Sequence, residues 1–66
     1  MSDTWYVEAV DHNYSRTGIV WDYARHAWVS KKSIPGFVMF EGAVAVAEEC
    51  GFTIGSEVKI TKNDLN

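Results

Sequence analysis

Apolar and polar positions alternate from Thr4 to Val10 (TWYVEAV), with Trp5, Val7 and Ala9 on one side and Tyr6, Glu8 and Val10 on the other. That period of two predicts a strand. Asp11 to Thr17 (DHNYSRT) is polar and rich in turn formers, which predicts a loop. Gly18 then opens a second strand, Ile19 to Asp22, and Ala27 to Lys31 makes a third, with Tyr23-Ala24-Arg25-His26 between them. This pair predicts a hairpin on a type I turn, because its four-residue loop holds neither Gly nor Asn for a tighter primed turn. In that register Trp21 faces Trp28 and Asp22 faces Ala27. A slip of one residue would throw the two indoles onto opposite faces.

Beyond the polar Lys31-Lys32-Ser33, Pro35-Gly36 fits the two central positions of a type II turn. The run Phe37 to Phe40 (FVMF) predicts a buried strand; its alternative is the start of a longer helix capped by Ser33. From Gly42 to Cys50 the period becomes helical. Ala43, Val44, Val46, Ala47 and Cys50 fill one arc, and Glu41, Ala45, Glu48 and Glu49 fill the other. Gly51 stands where a left-handed residue ends a helix, and Phe52 is placed to touch the last turn. Gly55-Ser56 is a turn, and Glu57 to Thr61 a final strand with Val58 and Ile60 inward. Residues 62–66 are expected to fray. The order β-β-β-β-α-β predicts an α+β fold: a small antiparallel sheet of four to five strands with one amphipathic helix packed on one face.

The chain has 66 residues, enough for a single domain, 1–66, near the lower size limit for unaided folding. Its one cysteine rules out an internal disulfide. Three Trp, three Tyr and three Phe argue against disorder and supply the core instead. No apolar run reaches the ~20 residues of a membrane helix. The start, Met1-Ser2-Asp3-Thr4, lacks the pattern of a secretion signal, so a cytoplasmic location is expected. A net charge of -3 argues against a duplex DNA binder that works by bulk phosphate neutralisation.

Catalytic chemistry finds little to work with. His12 and His26 lie in different loops, each near an acid, and Cys50 sits on the apolar arc at a helix C-terminus, where burial and the macrodipole both disfavour a thiolate. No metal-ligand spacing and no phosphate loop is present, so no cofactor and no enzymatic activity are expected. Aromatic residues are the distinctive feature. Too many are present for one small core, and the surplus is expected at the surface, where Trp and Tyr anchor protein partners or stack on unpaired bases.

Gly36-Phe37-Val38-Met39-Phe40 resembles the second half of the aromatic strand motif of the RNA-recognition motif family, without its basic residue or its preceding Gly-aromatic pair. Thr17-Gly18-Ile19-Val20-Trp21, Phe37 to Phe40 and Gly51-Phe52 are together similar to cold-shock domains, at a different spacing. Neither likeness covers half of the chain or establishes membership. Both imply single-stranded nucleic-acid binding.

The acidic residues break one rule. Glu48 and Glu49 occupy the last helical turn, where carboxylates cost about 0.3–1 kcal/mol each, and the residues four before them are Val44 and Ala45. They either find a long-range partner such as Lys59 or Lys62, or form an acidic ridge with Glu41 that meets a basic protein surface. The leading expectation is a binding module acting stoichiometrically on a protein partner through Glu41, Glu48, Glu49, Tyr14, Trp21 and Trp28. One form would be a phage or mobile-element inhibitor, anti-CRISPR-like, that masks a nucleic-acid-binding surface. The alternative is a single-stranded nucleic-acid binder with Arg16, Arg25, Lys31 and Lys32 on phosphates. A third is a self-associating domain, a homodimer joined by its surplus aromatics.

Overall fold

The computed structural model describes residues 4–63. Four strands form one antiparallel sheet: β1 (Trp5–Val10), β2 (Arg16–Asp22), β3 (Ala27–Ser30) and β4 (Val58–Lys62), in the spatial order β3-β2-β1-β4. A single helix, α1 (Phe40–Glu49), packs on one face, so the fold is α+β. The alternation in β1 holds. Val7 lies with Ala43, Val46, Ala47 and Val58 in the core under the helix, while Tyr6 and Glu8 are buried on the other face. The hairpin register also holds, with Trp21 opposite Trp28 and Asp22 opposite Ala27.

Both connections between the first three strands use the same device. Asp11 Oδ1 accepts the backbone N–H groups of Asn13 and Ser15, and Asp22 Oδ1 accepts those of Ala24 and Arg25. Each loop then turns through a left-handed residue other than glycine, Tyr14 at φ 62° and His26 at φ 51°. The helix end is also as expected: Gly51 (φ 79°) donates to the Glu48 carbonyl at 3.1 Å and Phe52 to that of Ala47 at 2.9 Å, a Schellman closure.

Several boundaries differ from expectation. The first loop is shorter, because β2 begins at Arg16. β3 stops at Ser30, whose hydroxyl accepts the Lys32 N–H and starts a 3₁₀ turn over Lys31–Ser33. Phe37 to Phe40 is not a buried strand. Only Phe37 pairs, as a single bridge to Trp5, and α1 begins at Phe40 with Met39, not Ser33, at its N-cap. The type II turn expected at Pro35-Gly36 does not close, because the Phe37 N–H donates to the Trp5 carbonyl and the Ile34 carbonyl accepts from Tyr6 instead. The single bridge ties Phe37 to the end of β1, and bends at Val38 and Met39 leave the next three residues outside the sheet. The tail is held further than expected: Lys62 pairs with Trp5, and the Asn63 N–H donates to the Thr4 carbonyl at 2.7 Å. Residues 64–66 lie outside the described residues.

The face away from the helix is built around a charge. Glu8 is 1% exposed, and its Oε1 accepts from Arg16 Nε (3.1 Å) and Thr61 Oγ1 (2.7 Å), with Lys31 Nζ at 3.6 Å. Its Oε2 accepts the Gly18 N–H at 2.9 Å. A bulge makes this cradle. Glu8 pairs with Val20 and Val10 with Arg16, so three residues of β2 stand against Ala9 alone. The excess length, with Gly18 at φ 76°, is accommodated where the Gly18 N–H and the Arg16 guanidinium reach the carboxylate. The segment from Lys31 to Gly36 then covers this face: Lys31 Nζ sits 5.2 Å from the Tyr6 ring centre, and the Tyr6 hydroxyl donates to the Ile34 carbonyl at 3.0 Å.

Burial pushes the Glu8 carboxyl up, but the donors from Arg16, Thr61 and Gly18 outweigh it and hold the group below the ordinary glutamate range. The unfolded chain therefore takes up this proton more readily than the folded one. The stability from Glu8 is complete above the unfolded value of about 4.3 and is lost as pH falls through the lower folded value. Urea melts from pH 7 down to pH 2 should show this loss in the wild type and a flatter profile for Glu8→Gln. Glu8→Ala leaves buried Lys31 without its carboxylate and should cost about 3–5 kcal/mol, enough to unfold a domain this small; adding Lys31→Met should recover part of it.

Gly36 (φ 87°) has a second constraint, since a Cβ there would lie 2.9 Å from the Trp5 carbonyl oxygen and 3.1 Å from the Tyr6 ring. A Cβ at Gly51 would meet open space. Gly51→Ala should cost about 1–2 kcal/mol from the left-handed backbone alone, and Gly36→Ala distinctly more, read as the midpoint shift in denaturant.

Candidate partner-binding surfaces

The solvent face of α1 carries Glu41, Glu48 and Glu49, all exposed, and α1 contains no basic residue. Among the described residues neither Glu48 nor Glu49 pairs with a Lys or Arg. Of the two cations proposed to offset them, Lys59 donates its Nζ to the Tyr14 carbonyl at 2.9 Å, and Lys62 lies 5.9 Å from the Trp5 ring. The carboxylates at the negative end of the helix thus remain uncompensated.

Directly before and into that helix lies an apolar surface that the sequence pattern placed in the core. Val38 is 77% exposed, Met39 59% and Phe40 44%. Phe40 meets Trp5 edge to face at 5.1 Å, which fixes one end of the run to the sheet. The period-two signal misled here because a single bridge at Phe37 and a helix start at Phe40 frame the run, so its side chains follow no sheet face. The acid next to it, Glu41, sits in the first helical turn, where the macrodipole favours it.

The aromatic residues form a row rather than a scatter. Trp21 and Trp28 meet at 5.1 Å, and Phe52 lies 5.2 Å from Trp21 and 5.1 Å from Trp28. His26 packs against Trp21 and Tyr23. Trp21 is half-buried against the core, so it supports the row more than it presents a surface, whereas Trp28 is 42% exposed at the sheet edge. Tyr14 is exposed, but it sits in the β1–β2 loop, at the other end of the sheet from the β2–β3 loop. The expected site residues therefore divide into an acidic helix face, a Trp row and a distant Tyr14.

The basic residues divide too. Lys31, expected on phosphates, is buried beside Glu8, and Arg16 is bonded to the same carboxylate. Lys32 is exposed, and Arg25 is exposed with its Nε 3.6 Å from Asp22. His12 and His26 lie in loops at opposite ends of the sheet, and Cys50 caps α1 against the core. Among the described residues no three His, Cys, Asp or Glu are grouped to hold a metal ion. No helix among them is long and apolar enough to cross a membrane.

A groove of about 420 Å³ runs between the β2–β3 loop (Asp22 to Arg25) and the Ile34 to Phe37 segment, with Trp21 in its wall. It exists because β1 hands its pairing from β2 to Phe37 at Trp5, which leaves the end of β2 and the crossover segment apart. The buried Trp21 Nε1–H has no acceptor among the described residues.

Comparison with protein-family models, with curated proteins and with solved structures gives no match for this chain.

If Val38 and Met39 stand outside the core, replacing either by Ser should change stability by less than about 0.5 kcal/mol. Val7→Ala, in the core beneath α1, should cost about 2 kcal/mol. Thermal melts of the three variants check both statements.

Proposed function

We propose that this protein is a binding module that acts stoichiometrically on a protein partner with a basic surface. The observation that carries the reading is the exposed apolar run Val38-Met39-Phe40 continuous with a helix whose solvent face holds Glu41, Glu48 and Glu49 and no cation. Three neighbouring apolar side chains at this exposure are costly to leave in water and supply the desolvated centre of an interface. Glu41 beside them, with Glu48 and Glu49 further along the same helix, selects a cationic rim by complementarity. The helix presents the carboxylates and Phe40, and Val38 and Met39 lie at its N-terminal end. An inhibitor that masks a nucleic-acid-binding surface is one concrete form, because such surfaces pair Lys and Arg with apolar patches.

Single-strand nucleic-acid binding has less to support it. Two of its four proposed phosphate contacts, Arg16 and Lys31, are committed to Glu8. Trp21, one of its stacking rings, is half-buried in the aromatic row.

Capture from native cells with immobilised wild-type protein, Glu48→Lys/Glu49→Lys and Met39→Asp tests the reading. Both variants should melt within a few degrees of wild type and lose the partner. Capture by the wild type should weaken with salt, since exposed charge pairs are screened. Equal capture by all three would sink the proposal.

A further inference from the structure

The sheet has two edges, and they are guarded differently. β4 carries Lys59 and Lys62, charges that deter a second strand. β3, Ala27-Trp28-Val29-Ser30, carries no charge, no proline and no bulge in its pairing with β2. Among the described residues no backbone group of Ala27 to Ser30 bonds to main chain outside the β2 ladder. The outward half of its N–H and C=O groups is therefore an open template. Beside it lie Trp28 and Ile19, both large, apolar and exposed on the helix face of the sheet.

We propose that β3 pairs antiparallel with β3 of a second copy of this chain, joining two four-stranded sheets into one of eight. A second copy fits this edge because antiparallel pairing of a strand with itself is self-complementary under a two-fold axis. The paired residues themselves, Ala27 to Ser30, carry no charge, so no like charges oppose each other within the four-residue ladder. The geometry fixes the register. Pairing two copies of one edge antiparallel requires the axis to stand perpendicular to the sheet, which puts both helices on the same side. Residues directly opposite then share a face, so Trp28 can oppose Trp28 or Ser30 of the second copy, never Val29. Trp28 against Trp28 places Val29 against Ala27 and buries both exposed indoles. It extends the row Phe52–Trp28 across the axis and so uses the aromatic surplus of the chain. The surface involved is separate from the exposed face of α1, so this proposal and the proposed function stand or fall apart.

A four-residue edge covers less than the ~1,600 Å² of a standard interface, so the dimer should be weak, with a Kd between about 10 μM and about 1 mM. Sedimentation equilibrium of the full chain over that range should show mass rising from the 7.4 kDa of one chain towards twice that value. Amide resonances of Ala27 to Ser30 and the Trp28 indole should shift with concentration. Trp28→Lys sets two like charges at the axis and should leave a folded monomer. Trp28→Phe keeps a ring there and should retain the dimer. A wild type monomeric up to about 1 mM, a dimer unchanged by Trp28→Lys, or concentration-dependent shifts confined to α1 would each overturn the proposal.

Discussion

The Glu8 carboxylate is the point on which the face opposite the helix depends. A carboxylate at 1% exposure is tolerable only when its oxygens are satisfied and its charge is met. Three separate parts of the chain do this: the β2 bulge through Arg16 and Gly18, β4 through Thr61, and the 3₁₀ turn through Lys31. One charge thereby specifies how three connections must run. A slip of β1 against either neighbour would leave it buried and unmatched. That cost disfavours other registers in a chain whose core is small.

The same arrangement explains why so short a chain shields two faces of its sheet. The helix covers Val7 and Val58, and the Lys31 to Gly36 crossover covers Tyr6 and Glu8. On its way to the helix start, the crossover is pinned at Phe37 to Trp5 by a single bridge. Because the pairing ends after that one bridge, the sheet gains no fifth strand, and Val38, Met39 and Phe40 stand at the surface. The candidate docking surface is thus a consequence of how the far face is closed.

Charge is distributed to match. Arg16 and Lys31 are engaged by Glu8, and Lys59 is tied to the Tyr14 carbonyl. The helix, by contrast, keeps three carboxylates with no cation of its own. Arg16, Lys31 and Lys59 are engaged within the fold while Glu41, Glu48 and Glu49 face outward, so the surface of α1 is more acidic than a net charge of -3 suggests.

Local pattern was enough for the elements that rest on local physics. Period two placed the faces of β1, the Trp21–Trp28 register followed from a four-residue loop, and Gly51-Phe52 marked the helix end. The acidic face of α1 was equally legible, since helical spacing alone puts Glu41, Glu48 and Glu49 away from Ala43, Val46 and Ala47. Three features had no local signal. The pattern placed Glu8 only on the strand face with Tyr6 and Val10, because nothing near it in sequence announced the bulge at Gly18 or the approach of Lys31 and Thr61. The FVMF run read as core because hydrophobicity reports a preference for burial, not whether the chain path allows it. Lys31 and Arg16 read as free cations because their partner lies 23 and 8 residues away. Sequence determined which faces each element would have; only the tertiary structure decided which of those faces would be covered, because covering a face depends on where distant segments cross.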